Sequence, residues 1–91
     1  MKKICIIGAG HAFKYQYQAL KSLGYKILVC DIDKEKTKEY KNTITDYRKI
    51  PDDYNLVLIS TPPSTHYKII KYLHKKNKKI ICEKPLVTNL K

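Results

Sequence analysis

The chain has 91 residues, enough for one small domain, and this length excludes a two-domain enzyme within it. Hydrophobic residues make up 43% and charged residues 30%, which is typical of a globular protein, and no apolar run approaches the roughly 20 residues of a membrane span. The net charge is +11, but the lysines are distributed along the sequence and Arg48 is the sole arginine. We therefore expect no nucleic-acid partner and no membrane partner. A basic nucleic-acid-binding domain stays open as a rival, and steep salt dependence would reveal it.

The first half of the chain alternates apolar strands with a helix. The segment "KKICIIG" predicts a buried strand that ends at a glycine, and "YKILVCDID" predicts a second strand. Between them, residues 12–23 have helical spacing, and Gly24 is expected to end this helix in the left-handed conformation. The polar segment "KEKTKEYKN" is competent for a short helix, and "TI" before "TDYRKI" predicts a brief third strand. On the first helix, we expect one face with Ala12, Ala19 and Leu23, and beside it Phe13, Tyr17 and Leu20.

The second half repeats the alternation. The segment "YNLVLIST" predicts a strand that Pro62 and Pro63 stop, and Ser64 is expected to cap a helix that runs through Leu73. Asn77 takes the place of a glycine after this helix, and "KKIIC" predicts a fifth strand. Fully apolar strands that alternate with helices indicate an α/β fold with a doubly wound parallel sheet in the order 3-2-1-4-5, as a single domain over residues 1–91. The inner face of the second helix is predicted to contain Ile69, Ile70 and Leu73.

The three cysteines indicate core packing rather than a disulfide or metal site. Cys5, Cys30 and Cys82 are odd in number, form no C-x-x-C pair and each lie in an apolar stretch. We predict no bound metal and a reducing compartment. Because the first residues lack the length and cleavage site of a signal peptide, we expect a cytoplasmic protein.

A glycine turn and an acidic residue predict a dinucleotide site. Gly8 and Gly10 occupy the first two positions of a G-x-G-x-x-G fingerprint, although Phe13 occupies the third. Asp31 follows about twenty residues later at the end of the second strand, where a carboxylate holds both ribose hydroxyls of NAD and repels the 2′-phosphate of NADP. We therefore predict NAD as the cofactor, with NADP disfavoured. The ring of Phe13 either pushes the helix outward and weakens binding or turns into the core.

Two further motifs extend this interpretation to a family. The motifs are "STPPSTH", which ends at His66, and "CEKPLVTN", whose Glu83 lies seventeen positions after His66. Together they resemble the glucose–fructose oxidoreductase and inositol dehydrogenase superfamily, Gfo/Idh/MocA. The resemblance covers essentially all 91 residues but only the N-terminal cofactor domain of that family. It implies an oxidoreductase that acts on CH–OH groups of a sugar or polyol-type substrate, with Lys84 as the catalytic candidate. The cofactor-binding residues that it implies are Gly8, Gly10, His11, Ala12, Asp31, Ser60, Thr61, Pro62, His66 and Glu83.

The sequence also departs from the family pattern. Besides Phe13, two residues differ from those frequent in the family: Gln16 stands where a histidine is frequent, and Asn55 stands where an aspartate is frequent. The family's substrate-binding domain is also absent from these 91 residues. We therefore expect the isolated chain to lack dehydrogenase activity and to associate with a second domain or with itself. Two alternatives remain open: a module that binds NAD without turnover, and a degenerate domain that serves in assembly.

Overall fold

The computed structural model describes residues 2–9, 13–60 and 63–82, which contain five parallel strands in the order β3-β2-β1-β4-β5. The predicted fold class and strand order are confirmed. Two helices connect strands, α1 (Phe13–Ser22) between β1 and β2, and α2 (Pro63–Lys75) between β4 and β5. The strands are β1 (Lys3–Ile7), β2 (Lys26–Cys30), β3 (Thr43–Ile44), β4 (Leu56–Ile59) and β5 (Lys79–Cys82).

The central strand β1 explains why the strands are apolar along their whole length. Cys5 lies opposite Leu28 of β2 and Val57 of β4, so β1 is flanked on both sides. Successive residues of a strand point to opposite faces, and here both faces are covered by helices. The face under α2 contains Cys5, Ile7, Leu28, Cys30, Val57, Ile59, Ile69 and Leu73; the face under α1 contains Ile4, Ile6, Phe13, Ile27, Val29 and Leu58.

The helix ends were predicted correctly from single residues. Gly24 has φ +90° and its N–H donates to the carbonyl of Lys21, which ends α1. Asn77 has φ +59°, and its N–H donates to the carbonyl of His74 after α2. Glycine and asparagine tolerate this left-handed conformation, so both positions stop a helix and return the chain to the sheet.

Three local predictions were wrong. The predicted α1 face with Ala19 and Leu23 is exposed, and Leu23 retains 71% of its accessible surface. The buried side of α1 is instead the neighbouring row with Phe13, because aromatic side chains reach the sheet from there and cover more apolar area. The polar segment after β2 forms only one 3₁₀ turn, Lys34–Lys36. Helix α2 begins at Pro63, so the backbone of Ser64 lies in the first turn and not at the N-cap position.

Phe13 is a core residue. Its side chain is 3% exposed, and its ring centroid lies 5.6 Å from that of Tyr17 and 5.1 Å from that of Tyr40. Tyr40 comes from the segment after β2, so the three rings join α1 to that segment over the sheet. The sequence left open whether the Phe13 ring pushes the helix outward or turns into the core, and the structure shows that it turns into the core.

Two of the three cysteines are buried and free, as predicted. Cys5 and Cys30 lie in the core under α2, and Cys82 lies outside the described side chains. Burial raises the pKa of the Cys30 thiol to about 12 and raises the pKa of Cys5 further. Both thiols therefore stay protonated at neutral pH, and neither is a nucleophile.

Lys78 forms hydrogen bonds that stabilise the turn before β4, residues 51–54. Its Nζ donates to the backbone carbonyls of Tyr54 at 2.7 Å, of Pro51 at 2.9 Å and of Asp52 at 3.4 Å. Asn77 makes this possible, because its left-handed backbone returns the chain toward β5 with Lys78 beside the turn. An ammonium group has three donors, so one lysine satisfies three carbonyls that precede a buried strand.

We expect Lys78→Met to lower the free energy of unfolding by about 2 kcal/mol, since it removes hydrogen bonds from a charged donor while it keeps the apolar stem. Urea unfolding followed by circular dichroism measures this change. Lys79→Met is the control, because that side chain is exposed and should matter by less than about 0.5 kcal/mol. Equal effects of the two substitutions would contradict the role assigned to Lys78.

Candidate functional site

The carboxyl ends of β1, β2 and β4 meet at one edge of the sheet, at the point where the strand order reverses. The N–H of Gly8 donates to the carbonyl of Cys30 at 2.7 Å, and the N–H of Ser60 donates to the carbonyl of Ile7 at 2.7 Å. The chain that leaves β1 is thus held between its two neighbours. Open parallel sheets bind ligands in the crevice at this reversal.

Asp31 is joined to the glycine turn. Its Oδ2 accepts a hydrogen bond from the N–H of Ala9 at 2.8 Å, and its Oδ1 accepts one from the N–H of Asp33 at 2.8 Å. Gly8, one residue before Ala9, is buried and has φ +100°, a conformation that favours glycine. The two hydrogen bonds fix a half-buried carboxylate beside the turn, with lone pairs left for further donors.

Gln16 connects the first helix to the other side of the crevice. The Ser60 hydroxyl donates to Gln16 Oε1 at 2.8 Å, and the contact is partly buried. Ser60 was predicted as a site residue, but Gln16 was noted only as a departure from a frequent histidine. Its position on α1, one turn from the glycine loop, was the signal in the sequence that pointed to this edge.

Ile32 is a second residue that the sequence reasoning missed. It follows Asp31 directly and is 87% exposed, the highest value among the large apolar side chains of the described residues. An isoleucine this exposed at the candidate edge offers an apolar surface next to the carboxylate. The signal in the sequence was its place just after the acidic residue that ends an apolar strand.

The structure brings three predicted residues, Gly8, Asp31 and Ser60, to the same edge. The backbone of His66 lies in α2, and its side chain is outside the described part. Outside the described residues altogether lie the predicted positions Gly10, His11, Ala12, Thr61, Pro62, Glu83 and Lys84.

Among the described residues, no group of three or more His, Cys, Asp or Glu side chains is arranged to hold a metal ion. A cavity of about 70 Å³ lies between Tyr47, Tyr72 and Lys78, far below the roughly 300 Å³ of small-molecule pockets. The carboxyl edge, where Asp31 is bonded to the glycine turn, is the candidate binding site. None of the helices in the described part of the chain has the length and apolar character needed to cross a membrane.

The parallel sheet, the glycine turn and the acidic residue after β2 together define a dinucleotide-binding domain of the Rossmann class. Over residues 2–91, the sequence matches the family described as "Oxidoreductase family, NAD-binding Rossmann fold". The chain belongs to this family, Gfo/Idh/MocA, as its motifs indicated. A search of the curated proteins by sequence finds no match.

Solved structures of dehydrogenases show the same fold. A levoglucosan dehydrogenase in complex with NADH superimposes with a TM-score of 0.77 at 24% identity, over 93% of this chain and 28% of that one. The UDP-N-acetylglucosamine 3-dehydrogenase GnnA from Acidithiobacillus ferrooxidans gives a TM-score of 0.75 at 21% identity, over 91% and 29%. The chain thus spans under a third of the length of these two proteins. At such identities the likeness shows the fold alone.

Proposed function

We propose that these residues are the NAD-binding domain of an oxidoreductase that acts on CH–OH groups of a sugar or polyol-type substrate. The observation that supports this most directly is the Asp31 carboxylate, held 2.8 Å from the N–H of Ala9 at the glycine turn. Family membership supports the oxidoreductase class. The substrate class is supported by the printed names of the levoglucosan and UDP-N-acetylglucosamine dehydrogenases.

The residues at the carboxyl edge fit a dinucleotide. The backbone of Gly8 and the loop that follows it would contact the pyrophosphate, which the positive end of the α1 dipole also attracts. The remaining lone pairs of Asp31 would accept hydrogen bonds from the adenosine ribose, and the exposed Ile32 would lie against the adenine. The rest of the proposed pyrophosphate loop consists of Gly10, His11 and Ala12.

The other half of the cofactor is proposed to lie toward β4 and β5. When bound, the nicotinamide supplies or accepts the hydride of the reaction. Ser60, held to α1 by Gln16, would lie on this side of the crevice. Lys84 is proposed as the catalytic residue, because a cation beside the reacting hydroxyl or carbonyl stabilises developing oxyanion charge. The proposed border of the nicotinamide consists of Ser60, Thr61, Pro62, His66 and Glu83.

Turnover is proposed to need a substrate-binding unit beyond these 91 residues. Hydride transfer requires a substrate held within near-attack distance of the cofactor, and one lysine does not provide that geometry. The isolated chain is therefore expected to bind cofactor without dehydrogenase activity. Its buried free thiols, Cys5 and Cys30, support a reducing compartment such as the cytoplasm.

Titration of the 91-residue chain with NADH and with NADPH, followed by calorimetry, tests the proposed function. We expect NADH to bind at least tenfold more tightly, because the 2′-phosphate of NADPH would meet the negative charge of the Asp31 carboxylate. The control is adenosine monophosphate, which should bind more weakly than NADH because it lacks the nicotinamide half. Equal or tighter binding of NADPH would refute the cofactor assignment, and absence of binding by either dinucleotide would refute the proposed function.

A further inference from the structure

The fold gathers lysines at the edge of the sheet opposite the candidate cofactor site. We call this surface the amino edge and define it by the starts of β1, β2 and β5, the turn before β4, and the ends of α1 and α2. Its two acidic residues are Asp52 and Asp53. Its eight lysines are Lys2, Lys3, Lys21, Lys26, Lys75, Lys76, Lys78 and Lys79.

The charge is distributed unequally between the two edges. The amino edge has a surplus of six positive charges, more than half of the net +11 of the chain. In contrast, residues 31–38, which follow β2 at the carboxyl edge, contain three acidic residues and three lysines. The lysines that are dispersed in the sequence thus form a one-sided basic surface in the fold.

Six of these lysines are available to a partner. Lys3 is paired with Asp53, and Lys78 is bonded to backbone carbonyls, but the other six are exposed. The ion pairs among the described residues involve none of the six. Three of them have Nζ 5.7–5.8 Å from tyrosine ring centroids, contacts that orient an ammonium without neutralising it: Lys2 with Tyr25, Lys21 with Tyr17, and Lys76 with Tyr72.

Helix capping accounts for only part of this surface. Lys21 and Lys75 lie in the last turns of α1 and α2, where a cation interacts favourably with the helix dipole. Lys2, Lys26 and Lys79 lie instead at the beginning of strands, where no comparable dipole exists. Like charges are also placed side by side, because Lys3 lies opposite Lys26 in the register of β1 and β2. The ion pair of Lys3 with Asp53 offsets this repulsion in part, whereas Lys26 takes part in none of the ion pairs among the described residues.

We propose that the amino edge binds the phosphate backbone of a nucleic acid, independently of base sequence. From β2 to β5 the edge spans three strand spacings, about 14 Å, and its six exposed lysines are enough to neutralise about four phosphates. Its cations are ammonium groups, point charges that suit a partner recognised by charge density rather than by fork-shaped hydrogen bonding.

The same surface does not suit reading of bases or insertion into a lipid bilayer. The tyrosines beside its lysines, Tyr17, Tyr25 and Tyr72, are half-buried, so their faces are not free to stack on bases. Leu23 is the one large apolar side chain of the described residues that is exposed at this edge, which is too little for membrane insertion.

Fluorescence anisotropy of a labelled 20-nucleotide single strand, titrated with the 91-residue chain, tests the proposal. We expect the dissociation constant to rise about 50-fold between 50 and 200 mM KCl, which is the effect of about four neutralised phosphates on a single strand. A second oligonucleotide of scrambled sequence should bind within twofold, and saturating NADH should not compete. Polyglutamate of equal charge and phosphatidylserine vesicles are titrated in the same way as alternative anionic ligands. The proposal would be overturned if polyglutamate or the vesicles bound as tightly as the oligonucleotide, if NADH competed, or if no oligonucleotide binding could be measured.

Two triple variants locate the surface. The first variant should bind the oligonucleotide at least tenfold more weakly, and its dissociation constant should depend less steeply on KCl concentration. It combines Lys2→Gln, Lys26→Gln and Lys79→Gln. The matched control, Lys34→Gln, Lys36→Gln and Lys38→Gln, removes the same charge from the carboxyl side and should change binding by less than threefold. An equal loss in both variants would assign binding to net charge and overturn the proposal. Both should keep the wild-type circular dichroism spectrum, and the first should retain NADH binding, so a failure here is distinct from a failure of the proposed function.

Discussion

Phe13→Gly is expected to lower the free energy of unfolding by about 4 kcal/mol and to leave the affinity for NADH unchanged. The substitution restores the third glycine of the fingerprint, but it removes a ring that is 3% exposed and in contact with Tyr17 and Tyr40. Loss of a buried phenylalanine side chain costs about 3–5 kcal/mol, and glycine in a helix adds up to about 1 kcal/mol.

Urea unfolding measures the stability of this variant, and titration at low temperature measures its affinity for NADH. Because the loss approaches the whole stability of a small domain, Phe13→Leu serves as a milder variant that keeps most of the apolar volume. It should lose about 1–2 kcal/mol, also with unchanged affinity. Tighter NADH binding in either variant would show that the ring holds the helix away from the cofactor, contrary to its position in the core.

Asp31→Asn should weaken NADH binding by about 1.5–3 kcal/mol, or roughly tenfold to 150-fold, and should weaken NADPH binding less. The asparagine oxygen keeps the hydrogen bond from the N–H of Ala9, but its NH₂ group then faces the N–H of Asp33, so one hydrogen bond of the turn is lost together with the charge that strengthens hydrogen bonds to the ribose. Removal of the carboxylate also removes its repulsion of the 2′-phosphate. The change therefore narrows the preference for NADH over NADPH.

The control for Asp31→Asn is Asp33→Asn, two residues away and with the same change of charge. Asp33 accepts a hydrogen bond from the N–H of Glu35 and caps the 3₁₀ turn, a role that asparagine fulfils equally well. NADH binding should then stay within twofold of the wild type. A loss in the control as large as that in Asp31→Asn would mean that general charge, and not a contact of Asp31, determines the affinity.

The architecture was predictable because each strand and helix end has a local cause. Strands that are buried on both faces must be apolar throughout, and positions that need a left-handed backbone require residues such as Gly24 or Asn77. The side of α1 that faces the core was harder to predict. Two neighbouring rows of apolar residues have similar helical spacing, and only contact with Tyr40, more than twenty residues away, decides between them.

The sequence by itself determined the family, the strand order and the places of Gly8, Asp31 and Ser60, since the ends of parallel strands meet at one edge wherever the chain alternates in this way. Only the tertiary structure decided that Phe13 lies in the core, that Gln16 contacts Ser60 and that dispersed lysines share the amino edge. These three facts depend on distances between residues remote in sequence. Periodicity and local propensity contain no information about such distances, because packing of the elements against each other sets them.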